Sequence, residues 1–320
     1  MQLHFWGTRG SIPVAANGLI VREKIKKALL LAKGHHFKSE EQIDRFIDES
    51  IEFPTQYGYG GDSSCIQILG GDEHMLCDMG SGLRRFGQHI MKKYGPQNPK
   101  VYHFFMSHVH WDHIMGFPFF PPAYIPGNII HIYGGHRIEI LEDAFRRQQS
   151  SPCFPVYWDQ LGADIQFTQL KENKWHEING FRIKPKRQVH HGASFGYRIE
   201  KGGKALVYST DAEHKQENEK DTAVILDFFH NADVVIFDAM YSLADMITIK
   251  EDWGHSSNIV GVDLCLRAKV KHYCMFHHEP AYNDETLFGI LQETRRYAEI
   301  VREDHPLKIS TAYDNMLIDV

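Results

Sequence analysis

Short, continuous apolar runs recur along this chain, and several of them stop abruptly at an acid or a histidine. Met75-Leu76-Cys77 runs into Asp78-Met79-Gly80, and Val101-Tyr102-His103-Phe104-Phe105-Met106-Ser107 runs into His108. Ala205-Leu206-Val207-Tyr208-Ser209-Thr210 closes on Asp211, and Tyr273-Cys274-Met275-Phe276 on His277-His278-Glu279-Pro280. Their length and unbroken apolarity predict buried strands. Val234-Val235-Ile236-Phe237-Asp238 reads as another. Elsewhere the spacing is helical, from Ile259 to Lys269 and in a run capped by Asp284 that carries Leu287, Ile290, Leu291, Thr294, Tyr297 and Ala298. Strands alternating with helices predict an α/β fold.

Two stretches depart from that rhythm. From Val14 to Gln56 the pattern predicts a helical hairpin: Ile25, Ala28, Leu29 and Ala32 recur at helical spacing. After Gly34, Ser39-Glu40-Glu41-Gln42 looks like a capping box ahead of Ile43, Phe46, Ile47 and Ile51. The two apolar stripes must be covered by the domain itself, by a second copy or by closing over a site. Phe117-Pro118-Phe119-Phe120-Pro121-Pro122-Ala123-Tyr124 is too proline-rich for regular structure and offers aromatic faces for stacking or for core filling.

Chemistry concentrates at His108-Val109-His110-Trp111-Asp112-His113, four potential metal ligands in six residues. Side chains alternate in extended backbone, so His108 and His110 point the same way, and Asp112 and His113 lie one bend further on. One segment can therefore serve two ions. Although 21 histidines will cluster by chance somewhere, three imidazoles and a carboxylate at a buried strand end would be costly unless a metal satisfied them.

This pattern resembles the metallo-β-lactamase superfamily, whose signature is His-x-His-x-Asp-His after an apolar strand. The resemblance runs from about Leu3 to Val320 apart from residues 14–56, where relatives pass almost directly from Gly10-Ser11-Ile12-Pro13 to Tyr57. It implies an αββα sandwich of two mixed sheets flanked by helices, in a single domain with the hairpin inserted. It also implies a ligand set. His108, His110 and His190 hold one divalent ion; Asp112, His113 and His277 hold a second; Asp211 bridges both, and Asp78 orients a ligand from behind. His191 rivals His190, and His278 rivals His277. Zinc is the expected metal, with manganese or iron as alternatives.

Within the superfamily, histidine at position 110 argues against the di-iron flavoproteins, which place Glu there, and Asp211 argues against true β-lactamases. Asp252-Trp253-Gly254-His255-Ser256-Ser257 resembles the Gly-His-Ser element of tRNA 3′-processing endonucleases and related phosphodiesterases. Phe5-Trp6-Gly7-Thr8-Arg9-Gly10 and Gly60-Gly61-Asp62-Ser63-Ser64-Cys65 look like the same branch, which includes cyclic-nucleotide and phosphoribosyl cyclic phosphate phosphodiesterases. The implied reaction is attack on a phosphodiester by a hydroxide shared between the ions. Asp112, Asp211 and His255 are the candidate catalytic residues, His255 as proton donor to the leaving group or clamp on the phosphate. His255 also reads as a neighbour of a helix cap at Ser256-Ser257, and Arg198 as a surface cation.

Charge and composition narrow the substrate. At a formal net charge of −6, with Arg22-Glu23-Lys24-Ile25-Lys26-Lys27 the sole lysine-rich stretch, the chain lacks the basic patch that gripping a long polyanion requires. A small phosphodiester or nucleotide, probed first as a cyclic nucleotide, fits better than RNA. A glyoxalase II-like thioester hydrolase shares the ligand set, and a non-catalytic nucleotide sensor is a third reading. No membrane-length apolar run or secretory leader is present, so the expectation is a cytoplasmic enzyme without a membrane partner and with a homodimer possible. Cys65, Cys77, Cys153, Cys265 and Cys274 read as reduced thiols rather than ligands.

Overall fold

The computed structural model describes residues 1–214, 219–248, 253–302 and 304–320. Its strands are β1 (Gln2–Gly7), β2 (Cys65–Leu69), β3 (His74–Cys77), β4 (Val101–Met106), β5 (Ile129–Gly134) and β6 (Asp164–Gln169), then β7 (His176–Ile178), β8 (Phe181–Gln188), β9 (Ser194–Lys201), β10 (Lys204–Ser209), β11 (Val234–Asp238), β12 (His272–Phe276), β13 (Lys308–Thr311) and β14 (Leu317–Asp319). They form two seven-stranded sheets, ordered β14-β1-β2-β3-β4-β5-β6 and β13-β12-β11-β10-β9-β8-β7. Each sheet is mixed: β3 to β6 and β10 to β13 run parallel, and the remaining pairs antiparallel.

The helices are α1 (Gly18–Leu31), α2 (Glu40–Ser50), α3 (Phe53–Gln56), α4 (Gly82–Tyr94), α5 (Trp111–Ile114), α6 (Ile138–Gln148), α7 (Glu219–Phe229), α8 (Leu243–Thr248), α9 (Asn258–Arg267) and α10 (Asp284–Val301). Strand alternation sorts the core into three layers. Phe105 of β4 and Leu206 and Ile236 of the second sheet meet between the sheets, with Leu3, Phe5, Tyr197 and Phe276. Phe104 and Met106 face outward beneath α4 and α6, and Val235 and Phe237 beneath α7, α9 and α10. The expected sandwich of two mixed sheets flanked by helices is what forms.

Parallel register explains why the apolar runs end together. Cys77 pairs with Phe105, Ser209 with Phe237 and Asp238 with Phe276, so the residues that follow β3, β4, β10, β11 and β12 emerge on one edge of the sandwich. Among the described residues no helix is long and apolar enough to cross a membrane. Cys65, Cys77, Cys265 and Cys274 are buried free thiols, and Cys153 is exposed.

Several local expectations need correction. The inserted segment is helical, but α1 rests on α3 and on the start of α10 rather than pairing with α2 as a hairpin. Lys24 and Lys27 pair with Asp284 and Glu285, which turns Lys24, Ala28 and Ala32 inward and leaves Ile25 55% and Leu29 67% exposed. The apolar stripe is thereby split. Ser39 stands at the start of α2 without making a side-chain cap bond, and Gln42 Oε1 instead accepts from the Lys38 amide. Asn283, not Asp284, caps α10, accepting from the Thr286 amide at 2.8 Å; the Asp284 carboxylate is taken up by Lys24 and the Tyr59 amide. Between 117 and 124 the chain makes two short 3₁₀ turns, with Phe117 and Phe120 buried in the outer core and Phe119 exposed.

Candidate metal centre

At the shared edge, two groups of donor atoms converge. His108, His110, His190 and Asp211 form one; Asp112, His113 and His277 form another, with the second Asp211 oxygen beside them. Around a cation with ligand bonds of about 2.0–2.1 Å, tetrahedral donors sit about 3.3–3.4 Å apart. In the second group His113 Nε2 is 3.2 Å from Asp112 Oδ2, 3.1 Å from Asp211 Oδ1 and 3.3 Å from His277 Nε2. His277 Nε2 is itself 3.3 Å from both Asp112 Oδ2 and Asp211 Oδ1. In the first group His190 Nε2 lies 3.3 Å from His110 Nδ1, and Asp211 Oδ2 lies 3.6 Å from both His108 Nε2 and His190 Nε2. His108 Nε2 is buried with no hydrogen-bond partner, a costly arrangement for an imidazole nitrogen unless a cation takes its lone pair. Both groups therefore fit a divalent ion, and Asp211 turns one oxygen to each.

The chain holds these groups in place from behind. Asp78 accepts the Ser107 amide on Oδ1, and on Oδ2 the Ser107 hydroxyl, the Tyr208 hydroxyl and His113 Nδ1–H, all at 2.6–2.7 Å. The last bond fixes the His113 tautomer and leaves Nε2 facing the site, the usual support for a ligating histidine. His190 Nδ1–H is anchored on the Gly254 carbonyl at 2.7 Å. Asp78, Asp211 and His277 have left-handed backbone, with φ of 58°, 47° and 62°. Such strain at a non-glycine residue concentrates where function demands it. Burial opposes ionisation of Asp112, but His113 and His277 outweigh it and hold the carboxyl well below the usual range.

His255 lies between the two groups, its ring 5.1 Å from that of His190 and stacked 5.2 Å from that of His277. Its Nδ1–H donates to Asp238 Oδ2 at 2.8 Å. Asp238 is fully buried and also accepts the Ala212 and Met240 amides. Burial alone would lower the His255 pKa; Asp238, then Asp211 and Asp112, reverse this and push it up to about 9. The capping alternative also has substance one step along, since Ser257 caps α9 while Ser256 bonds the Ala212 carbonyl. Asp252, quoted with this motif, lies outside the described residues.

The rival histidines His278 and His191 lie apart from the two donor groups. His278 donates to the Ala312 carbonyl, away from the cluster, and the His191 ring is 6.2 Å from that of His190 and outside both groups. Arg198 is tied to Glu200 and to the Phe228 and His230 carbonyls. Sequence reasoning missed several of these supports. Asp238 carried a readable signal, an acid closing a buried run like Asp78 and Asp211. Ser11, whose amide donates to Asp112 Oδ2 at 2.8 Å, and Gly10, which lies flat against the His277 ring, carried none.

Residues 74–278, more than half of the chain, match the beta-lactamase superfamily domain. The chain belongs to that superfamily. Within it, this member is 25% identical over 255 residues to ribonuclease Z of Picrophilus torridus, covering 66% of this chain and 78% of that one. Ribonuclease Z of Archaeoglobus fulgidus is 22% identical over 301 residues, covering 76% and 90%. Among solved structures, the metallo-beta-lactamase fold protein YhfI of Bacillus subtilis superposes with a TM-score of 0.63 at 15% identity, over 99% of this chain and 98% of that one. A diphosphatase of the PhnP family does so at 0.58 and 16%, over 100% and 97%. The superfamily member described here thus has hydrolytic relatives in the branch that includes tRNA processing.

Proposed function

We propose that this chain is a binuclear metal-dependent phosphodiesterase that hydrolyses a small phosphodiester, with a cyclic nucleotide as the leading substrate. His108, His110 and His190 hold one ion, Asp112, His113 and His277 the other, and Asp211 bridges, with zinc favoured over manganese or iron. All lie in one domain spanning 1–320, with 14–56 as an insertion. Bound by these residues, such ions would supply a lowered water pKa and positive charge for the phosphate oxygens.

The observation that carries the phosphodiesterase reading is His255. An imidazole set between the two donor groups, with Nδ1–H fixed on a buried carboxylate so that Nε2 is turned away from it, is placed to give a proton to an alkoxide leaving group or to clamp the phosphate. Asp238 holds the ring in that orientation by accepting Nδ1–H. A thioester hydrolase has no use for the donor, because thiolate is a good leaving group, and a sensor has no use for any donor. Relatives named ribonuclease Z and diphosphatase support phosphorus chemistry. The net charge of −6 supports a small substrate over RNA. The buried free thiols fit a cytoplasmic setting.

The test is a metal-defined screen of bis-p-nitrophenyl phosphate, cyclic mononucleotides, cyclic dinucleotides, a phosphoribosyl cyclic phosphate and a thioester, run on the parent and on His255→Ala. The variant should keep both ions and lose about 10²–10⁴ in rate on alkoxide-leaving diesters, and much less on p-nitrophenyl esters. Equal losses on good and poor leaving groups would make His255 a binding residue only. Turnover of the thioester alone would overturn the assignment.

A further inference from the structure

The start of the insertion encloses space against the body of the domain. Together with the loops around Gly60 and Tyr282 it leaves a cavity of about 850 Å³, whose apolar lining includes Val14, Ala15, Ala16, Leu19 and Ile20 and which none of the proposed metal ligands reaches. Seven charged side chains also line it, and six of them are paired. Lys24 meets Asp284, Arg85 meets Asp314, Glu285 meets Lys27 and Glu23 stands beside Lys26. Arg9 is the exception: it forms no ion pair with any described residue, although it is only 3% exposed. Its Nε donates to the Gly60 carbonyl and its Nη1 to the carbonyls of Glu279 and Tyr282, while Nη2 makes no hydrogen bond to a described residue. Asp284 and Asp314 are near enough to favour its charge, but both are already engaged. Asp284 is held by Lys24 and the Tyr59 amide, and Asp314 by the Thr8 hydroxyl, the Gly61 and Asp62 amides and Arg85.

We propose that this cavity, separate from the metal centre, binds an aliphatic carboxylic acid, with its carboxylate on Arg9 and its chain along the apolar lining. A guanidinium cannot shed its charge and is almost never fully buried without a partner, because an uncompensated cation inside a protein is costly. The three carbonyls hold Arg9 in place without neutralising it. Its free Nη2 then offers donors to one carboxylate oxygen, a short charge-assisted bond. A neutral apolar molecule would leave Arg9 unanswered, and a bare inorganic anion would leave the apolar lining wet. The occupant therefore needs both a negative head and an apolar body, and the volume lies within the range of small-molecule sites. Leu19 and Ile20, otherwise 75% and 37% exposed, gain cover from its chain. Since residues 14–20 open the insertion, the site exists only where the insertion meets the Arg9 loop.

The experiment is calorimetric titration of the zinc-loaded protein with octanoate, acetate and 1-octanol. The parent should bind octanoate more tightly than 1-octanol by about 10- to 150-fold, the worth of a hydrogen bond to a charged group, and more tightly than acetate by about fourfold for each methylene buried. Acetate also controls for carboxylates that reach only the zinc ions. Arg9→Gln should remove the preference for octanoate over 1-octanol, with zinc content reporting that the variant is folded. Ile20→Asp should weaken octanoate about tenfold or more by placing an acid beside the chain. Ile20 lies in the first turn of α1, where an acid suits the helix, so this variant decides the matter should Arg9→Gln fail to fold. Ile300→Asp, on exposed α10 outside the cavity, should change nothing. No saturable binding of octanoate, equal affinity for octanoate and acetate or for octanoate and 1-octanol, or undiminished octanoate affinity in Ile20→Asp would overturn the site. Binding is read without turnover, so the result stands apart from the phosphodiesterase reading.

Discussion

Gly10→Ala tests the second donor group without replacing a proposed ligand. A Cβ built on Gly10 meets His277 Cε1 and Nδ1 at 2.7 Å, so an ordinary contact of 3.4 Å requires about 0.7 Å of movement. Two things can move, and both damage the same ion position. If the His277 ring retreats, its Nε2 leaves the 3.3 Å spacing to Asp112 and Asp211 by more than the roughly 0.2 Å that metal–ligand distances tolerate. If the 9–11 backbone retreats instead, the Ser11 amide releases Asp112 Oδ2, now held at 2.8 Å. Losing such a supporting contact typically weakens metal binding about 10- to 100-fold, or about 1.4–2.7 kcal/mol. The assay is zinc stoichiometry and affinity in chelator-buffered zinc, with turnover of bis-p-nitrophenyl phosphate in parallel. One site should weaken and the other remain, with activity following the weaker. Gly289→Ala, in α10 with nothing within 4 Å of the added Cβ, is the control and should leave both sites intact. Two zinc ions bound at parental affinity in Gly10→Ala would refute the reasoning.

Acid should destabilise the metal-free protein partly through buried neutral histidines. His214 and His272 are both lowered to about 4, chiefly by burial, so between pH 6.5 and 4 the unfolded chain binds protons that the folded chain refuses. Stability is present above pH 6.5 and falls as pH drops, at up to about 1.4 kcal/mol per unit for each histidine. Urea unfolding of His272→Gln should therefore give a pH profile shallower by about that amount between pH 6 and 4.5, and an unchanged slope would remove His272 from the account. The exposed leucines of α1 predict self-association: Leu29 and Leu30 are 67% and 63% exposed, more apolar surface than one copy hides. Sedimentation should show a dimer that Leu29→Glu with Leu30→Glu converts to a monomer; identical sedimentation of the two proteins would assign the helix elsewhere.

The fold was legible because the strands that build the site are buried on both faces and therefore read as unbroken apolar runs. Their shared ending edge was legible for the same reason, since an acid or a histidine stands where each run closes. Asp78, His108, Asp211 and His277 all occupy such positions, and Asp238 obeyed the rule unnoticed. What could not be read were contacts made by backbone. Neither the Ser11 amide on Asp112 nor the Gly254 carbonyl on His190 leaves a mark in residue type. The insertion misled for another reason: helical spacing identifies an apolar stripe but not which side faces the body. Two lysines reaching α10 decided that.

The strand order has a consequence for how the chain is made. The first sheet is otherwise built from residues 2–169, but its outer strand β14 follows all of the second sheet's strands in sequence and pairs Gln2 with Asp319. While a ribosome makes the second sheet, β1 has no partner on that side, and its Leu3-His4-Phe5-Trp6 backbone remains an open edge. Unpaired edges recruit strands from other chains. Nascent molecules are therefore vulnerable to cross-pairing in the interval before β14 emerges to cover β1. Removing β14 alone would leave that edge open permanently while keeping every proposed ligand.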